Sequence, residues 1–142
     1  MCAHAVTAHA CGWGYTDLAM ADTGAQLIDE WRDLLARHAR VNAALERDLQ
    51  RHHRLSVTEL EALQRLQEKH VDGCRLQQLV EDVHMSQSAL SRLVSRLEEE
   101  GLVERRSCSD DRRGIFACIT DAGRARVREA EATQREVLAR TL

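Results

Sequence analysis

Hydrophobic residues recur every three or four positions along most of the chain, which predicts amphipathic helices. The longest pattern runs from Thr23 to about His53 and consists of Leu27, Ile28, Trp31, Leu34, Leu35, His38, Val41, Leu45 and Leu49. At about 1.5 Å per residue, roughly 30 residues form a rod of about 45 Å. A 16.1 kDa chain is too small to cover such a rod alone, so part of the stripe is expected to contact a second subunit.

Shorter helical patterns follow the first one. Two of them share leucine and valine at helical spacing: Leu60, Leu63 and Leu66, then Leu76, Leu79, Val80 and Val83. The last pattern follows residue 120 and has sparse, small apolar positions: Val127, Ala130, Val137, Leu138 and Leu142. The first and last helices are therefore the predicted dimerisation elements.

Polar residues and glycine mark where these helices begin and end. Ser56 and Glu59 form a capping box, because each side chain can accept a hydrogen bond from the other residue's backbone N–H. Ser86 and Thr120 are favoured cap residues before the fourth and fifth helices. Gly101 is predicted to end the fourth helix, because glycine adopts the left-handed conformation without strain.

The fourth helix has two contrasting faces. Its apolar face consists of Ala89, Leu90, Leu93, Val94 and Leu97. Its other face consists of Gln87, Ser88, Ser91, Arg92, Ser95 and Arg96, and no acidic residue occurs before Glu98. Such side chains can reach base edges and phosphates, whereas a carboxylate would be repelled by phosphate, so the face suits a DNA groove.

A strand–turn–strand pattern follows that helix. LVERR and IFACIT are strand-like, and DDRRG between them is a tight turn that contains two arginines. Such a β-hairpin can carry a cation into a minor groove next to the helix. Helix and hairpin together predict a mainly α, α+β fold, a winged helix-turn-helix with long terminal dimerisation helices.

At these residues the chain resembles the multiple-antibiotic-resistance regulator (MarR) family of bacterial transcription factors. SQSALSRLVSRLEEEGLVERR is similar to the recognition helix and the strand after it, and DDRRGIFACITDAG is similar to the wing and the next helix start. The resemblance extends more loosely from about Leu27 to the C-terminus and does not cover residues 1–22.

The resemblance implies two groups of DNA-binding residues. On the fourth helix, the base and phosphate contacts fall on Ser86, Gln87, Ser88, Ser91 and Arg92, with a phosphate contact at Arg96. In the wing, Asp111 would orient Arg113 in the minor groove, and Arg112 would contact the DNA backbone. The structural alternatives are a solvated polar face and an exposed ion-pair turn.

The resemblance also implies how such a regulator works. A homodimer would bind a pseudo-palindromic operator with two recognition helices about 34 Å apart, as a repressor released by a small-molecule effector. Trp31, His38 and His70 could line the effector cleft, although the simpler interpretation of Trp31 is a core residue. Sequence alone gives neither target genes nor effector, and it does not separate repression from activation.

The sequence patterns and the resemblance divide the chain into regions. Residues 1–22 are predicted to be a poorly ordered extension, and Met20 is an alternative translation start. Residues 23–55 and 121–142 would form the dimerisation region, and residues 56–120 the DNA-binding lobe. No apolar run is long enough to span a membrane, and no secretory signal pattern is present, so a cytoplasmic location is expected.

Charge and cysteines refine this picture. The net charge of −3 does not exclude DNA binding, because the cations are local and Glu98, Glu99 and Glu100 follow at the helix end. Five cysteines, an odd number, indicate free thiols. Cys74 is the redox candidate because it is expected at a helix N-terminus, where a thiolate is stabilised.

The remaining cysteines carry weaker signals. Cys118 is expected to be buried and Cys108 to lie in the wing. The spacing of Cys2, His4, His9 and Cys11 matches no metal site, so neither metal nor other cofactor is predicted.

Three alternatives stay open. A thiol-based redox regulator of the same fold would release DNA on oxidation. A helical interaction module would bind protein through its arginine-rich loop, and steep salt dependence of binding to duplex DNA would argue against it. An enzyme is disfavoured, because the sequence has no Gly-rich phosphate loop, no HExxH motif and no nucleophile elbow.

Overall fold

The computed structural model describes residues 16–68, 74–107 and 115–142. These stretches contain five α-helices and three short strands, in the order α1 Thr16–His53, α2 Val57–Glu68, β1 Cys74–Arg75, α3 Leu76–Asp82, α4 Gln87–Glu99, β2 Val103–Ser107, β3 Ile115–Ile119 and α5 Asp121–Thr141. The predicted mainly α, α+β architecture is confirmed. The chain divides into two compact units, Met1–Ala39 and Arg40–Leu142.

The first unit contains the beginning of α1. This helix starts at Thr16, whereas the sequence pattern predicted a start at Thr23. The segment TDLAMAD contains neither glycine nor proline and is rich in good helix formers, so helix continues upstream of the apolar stripe. Five large apolar side chains of this unit are exposed: Leu27, Ile28, Trp31, Leu34 and Leu35.

The second unit has an aliphatic core. Its fully buried large side chains come from α1, α2, α3, α4 and α5, and from the segments between them: Leu49, Leu55, Leu60, Leu63, Leu66, Leu79, Leu90, Val94, Leu97, Val103, Val127 and Val137. The apolar faces predicted for α2 and α4 are thus the faces that pack inward. Burying one such side chain contributes about 1.5–3 kcal/mol, so packing holds these short helices in place.

The three strands form one antiparallel sheet in the order β1–β3–β2. The predicted hairpin is confirmed, with Val103 opposite Ile119 and Ser107 opposite Ile115. Strand β1 was not predicted; its two residues pair with the far side of β3. The sheet therefore joins the segment before α3 to the hairpin that follows α4.

The predicted caps are confirmed by hydrogen bonds. The Ser56 N–H donates to Glu59 Oε2 at 2.8 Å, and the Glu59 N–H donates to Ser56 Oγ at 3.1 Å. Ser86 and Thr120 accept from backbone N–H groups in the first turns of α4 and α5. Gly101, with φ of 73°, ends α4 as expected.

A tight junction follows Gly101. Thr120 donates its hydroxyl to Gly101 O at 2.7 Å, and its N–H donates to Leu102 O at 3.0 Å. Gly123, in the first turn of α5, lies so close that a Cβ there would collide with Leu102 O and with Ile119 Cγ1. The end of α4, the end of β3 and the start of α5 are consequently in direct contact.

Candidate nucleic-acid interface

The polar face of α4 is exposed over its first two turns. Ser86, Gln87, Ser88, Ser91 and Arg92 are all solvent-exposed, on a helix whose opposite side is buried through Leu90, Val94 and Leu97. No acidic residue occurs in the first turn of α4, so nothing offsets the positive end of the helix dipole. The structure therefore brings together five of the sequence-predicted residues on one cationic, hydrogen-bonding surface.

Local hydrogen bonds shape this surface. Ser86 Oγ accepts from the Ala89 N–H at 3.3 Å and lies 3.3 Å from Ser88 Oγ. Arg92 donates its Nε–H to Ser88 O at 3.3 Å. That bond uses one of the five N–H groups of the guanidinium, which leaves donors that can reach a phosphate or a guanine.

Arg96 differs from Arg92 although it lies one turn further along the same helix. Its Nε is 3.2 Å from Glu59 Oε1 and 3.6 Å from Glu100 Oε1. Glu59 is buried and also accepts the Ser56 N–H, so its carboxylate joins the start of α2 to α4. A phosphate contact by Arg96, which the family resemblance implies, would have to compete with this ion pair.

Arg105 on β2 contacts α4, and the sequence did not predict these contacts. Its guanidinium donates to Ser91 O at 3.1 Å and to Ser95 Oγ at 2.8 Å, and it pairs with Glu98 Oε2 at 3.3 Å. The Arg105 N–H also donates to Glu98 Oε1 at 3.2 Å. The only sequence signal is strand alternation, which places Arg105 and Arg106 on opposite sides of β2 without saying which one faces the helix.

Several predicted site residues lie outside the described residues. They are Asp111, Arg112 and Arg113 of the wing, His70 of the predicted effector cleft, and Cys108. Of the other two cleft residues, Trp31 is 58% exposed and His38 is exposed, both on α1 in the first unit. The effector cleft stays a prediction.

The position of Cys74 differs from the prediction. It lies in β1 opposite Ala117 rather than in the first turn of a helix, and it is buried. Its Sγ–H points toward Arg75 O at 3.4 Å and Gln78 Oε1 at 4.0 Å, which are neutral acceptors. Burial removes the accessibility that a reactive thiol needs. Cys118 is buried in β3, as predicted.

Cavities in the second unit border α5. A cavity of about 320 Å³ between α2 and α5 is lined mainly by amides and carboxylates: Val57, Glu61, Gln64, Arg65, Gln67, Glu68, Glu131 and Gln134. A cavity of about 300 Å³ is lined by His52, His53, Arg54, Arg126 and Glu129. Within the described stretches, no group of three or more His, Cys, Asp or Glu residues is placed to hold a metal ion.

Two groups at the end of α1 have shifted pKa values. Burial lowers the pKa of His53, and the positive charges of His52 and Arg126 act in the same direction, while Glu129 opposes them. His53 Nε2 is 2.8 Å from Thr133 Oγ1, and Arg126 donates to His53 O at 2.8 Å. The pKa of the Asp48 carboxyl is lowered by hydrogen bonds from Arg140 and then Arg47. The contacts of His53 with Thr133 and Arg126, and of Asp48 with Arg140, attach the end of α1 to α5.

No helix in the described part of the chain is both long and apolar enough to cross a bilayer.

Comparisons with known proteins agree with this geometry. A profile of the MarR family matches residues 55–115. The structure is similar to that of Sco3205, a MarR family transcriptional regulator from Streptomyces coelicolor in complex with DNA, with a TM-score of 0.76 and 29% identity; the match covers 82% of this chain and 72% of that one.

AbsC, another MarR family transcriptional regulator from Streptomyces coelicolor, is 32% identical with a TM-score of 0.74, over 80% of this chain and 76% of that one. BpsR from Bordetella bronchiseptica shares the fold, with a TM-score of 0.70 and 20% identity over 80% of this chain and 83% of that one. No curated protein matches significantly. The helix–hairpin geometry, the profile match and the likeness to AbsC together show that the chain belongs to the MarR family.

Proposed function

We propose that this protein is a transcriptional regulator, not an enzyme, which binds a pseudo-palindromic operator in double-stranded DNA as a homodimeric repressor. The observation that carries the proposal is the exposed, acid-free face of α4 formed by Ser86, Gln87, Ser88, Ser91 and Arg92. The similarity of the chain to Sco3205, whose structure contains DNA, supports the same activity here.

The negative charges next to this face do not oppose the proposal. Glu98 is paired with Arg105, and Glu100 with Arg96, so two carboxylates at the end of α4 are partly neutralised within the protein. All three acids of the Glu98–Glu100 run lie at the far end of the helix from Ser86. The first turns of α4 can therefore approach phosphates although the chain has a net charge of −3.

Dimerisation is the second part of the proposal. The five exposed apolar residues of the first unit form a stripe that a second copy can cover, and contiguous exposed apolar surface of this kind marks interaction sites. Residues 23–55 and 121–142 are then the dimerisation region, and residues 56–120 the DNA-binding lobe. Two-fold symmetry would place the two α4 helices about one DNA turn apart.

The wing and the release mechanism complete the proposal. Asp111 orients Arg113 in the minor groove, and Arg112 contacts the DNA backbone. All three residues belong to the segment between β2 and β3. A small ligand releases the operator, a form of control supported by BpsR, whose DNA binding is regulated by 6-hydroxynicotinic acid. The burial of Cys74 favours a ligand over an oxidant as the signal.

One experiment tests the DNA-binding function directly. Fragmented genomic DNA is selected with the purified protein, sequenced and searched for a shared palindrome, and the recovered site is used in titrations. Arg92→Ala should weaken operator binding by about 1–3 kcal/mol, as expected for loss of one arginine contact. Arg47→Ala removes a similarly exposed arginine from α1 and should leave binding unchanged. Equal effects of the two substitutions, or no shared palindrome, would contradict the proposal.

A further inference from the structure

We propose that Arg105 is a positioning residue for sequence recognition, which fixes the DNA-facing side of α4 relative to the β2–β3 hairpin. The inference rests on the proposed function and adds a determinant of specificity that does not itself need to contact a base.

Arg105 and Arg106 have opposite surroundings. The Arg105 side chain is 30% exposed, and its Nε is buried with no hydrogen-bond partner among the described residues. Arg106 is 61% exposed and pairs with Glu104, two residues away on its own strand. Removing either residue deletes the same formal charge from the same strand, but only Arg105 bridges strand and helix.

The contacts of Arg105 fall on the residues that set the DNA-facing surface. One guanidinium nitrogen donates both to Ser91 O and to Ser95 Oγ, and the Ser95 hydroxyl in turn donates to Ser91 O at 2.9 Å. The Arg105 guanidinium, the Ser95 hydroxyl and the Ser91 carbonyl thus meet at the helical turn that carries the exposed Ser91 side chain. Ser95 is engaged within the protein, and its role is to hold this turn.

Glu98 closes the arrangement from the other side. One of its carboxylate oxygens accepts the backbone N–H of Arg105, and the other forms an ion pair with the Arg105 guanidinium at 3.3 Å. A planar guanidinium with donors in fixed directions can satisfy a carboxylate and a serine–carbonyl pair at once, whereas an ammonium group is a single point charge. The bond pattern therefore specifies arginine at position 105 and links the orientation of α4 to the hairpin.

This arrangement predicts an effect on discrimination rather than on general affinity. Phosphate contacts tolerate small displacements of the helix, because they are largely electrostatic and carry no sequence information. Paired hydrogen bonds to a base edge need defined geometry, and each is worth about 1–3 kcal/mol of discrimination. If α4 is free to shift, operator binding weakens while binding to unrelated duplexes changes little.

The test measures the ratio of affinities for the selected operator and for a scrambled duplex, together with the salt dependence of each. Arg105→Ala should lower the ratio by about tenfold or more, the loss of one misaligned base contact. Arg106→Ala is the matched control and should keep the wild-type ratio, with a similar change in salt slope from the same lost charge. Ser95→Ala should lower the ratio without altering the salt slope, because no charge is removed.

Two further measurements separate positioning from simple stabilisation. Arg105→Lys should keep wild-type thermal stability, because lysine can still pair with Glu98. The ratio of operator to scrambled-duplex affinity should stay reduced, because lysine lacks the second guanidinium nitrogen that donates to Ser91 and Ser95. Amide exchange in the DNA-free protein should be faster across α4 in Ser95→Ala than in Arg106→Ala. Ser95→Ala keeps the test decisive if Arg105→Ala does not fold.

The outcomes are distinct. Reduced discrimination in Arg105→Ala, Arg105→Lys and Ser95→Ala, with Arg106→Ala resembling wild type, supports the positioning role. The positioning role is overturned by equal losses of discrimination in Arg105→Ala and Arg106→Ala, by a wild-type ratio in Arg105→Lys, or by an unchanged ratio in Ser95→Ala. A wild-type protein that binds operator and scrambled DNA equally overturns the proposed function instead, and this result appears before any variant is compared.

Discussion

The part of α1 in the first unit and the part in the second unit share one kind of sequence pattern but have opposite surroundings. In the first unit, Trp31 and Leu34 are 58% and 59% exposed. Near its end, Leu45 and Leu49 are 7% and 0% exposed and belong to the core of the second unit. Apolar residues at three- and four-residue spacing thus predict a buried face without saying whether the same chain or another one buries it.

The polar residues of α1 show the same contrast. At its end, Asp48 pairs with Arg140, and His53 contacts both Thr133 and Arg126, so three residues of α5 hold this part of the helix. In the first unit, the ion pair between Arg32 and Asp29 stays within α1. The end of α1 is therefore attached to the core by polar contacts as well as by packing, whereas its part in the first unit has an exposed apolar stripe.

The largest expected effect comes from the exposed stripe of α1 in the first unit. Replacing Trp31 and Leu34 together by aspartate should raise the dimer dissociation constant by about a thousandfold or more, because two carboxylates would be buried without partners. Light scattering should show a change from twice the 16.1 kDa chain mass to the single mass. Operator affinity should fall with it.

A control separates assembly from folding in this variant. The far-ultraviolet circular dichroism of the monomer should keep its helical form, because neither residue belongs to the buried core of the second unit. A wild-type protein that is monomeric at micromolar concentration would contradict the proposed role of the exposed stripe in dimerisation.

An intermediate effect is expected from the buried end. Leu49→Ala should lower the free energy of unfolding by about 3 kcal/mol, the transfer and cavity cost of truncating a fully buried leucine. Leu142→Ala, at a leucine that is 69% exposed, is the control and should change stability by less than about 0.5 kcal/mol. Urea unfolding at equal protein concentration measures both, and similar values would show that Leu49 is not enclosed as described.

The smallest effect concerns the pH response of His53. Because burial lowers its pKa in the folded state, protonation favours the unfolded chain, so stability should fall as the pH drops below about 6.5 and level off below the folded-state pKa. His53→Gln keeps a hydrogen-bonding group toward Thr133 without a titrating proton and should flatten that part of the profile. His52→Gln should retain the wild-type slope; an unchanged slope in His53→Gln would exclude His53 as its source.

Much of the fold was predictable because its signals are local. Ser56 with Glu59, and Thr120 before Gly123, cap helices through residues three positions apart, so the sequence carries the whole interaction. Gly101 ends α4 for an equally local reason. The exposed serine, glutamine and arginine face of α4 was predictable in the same way, because helical periodicity determines which residues share a side.

The features that were missed depend on distant residues. Strand β1 has only Cys74 and Arg75 and exists because β3 pairs with it, so two residues could not reveal it. Arg96 contacts Glu59 across two helices, and neither residue signals the other in the sequence. The choice between Arg105 and Arg106 as the residue facing α4 is made by the packing of the hairpin, which periodicity alone does not contain.

The junction around Gly123 has a mechanical consequence. Because no side chain fits between this residue and Leu102, α5 cannot tilt at its first turn without moving the end of α4, and the Thr120 hydroxyl attaches that end at Gly101. A displacement of the first turn of α5 would therefore displace the end of α4 as well. Gly123→Ala should push the start of α5 away from the end of α4, and a movement of α5 would then no longer cause operator release.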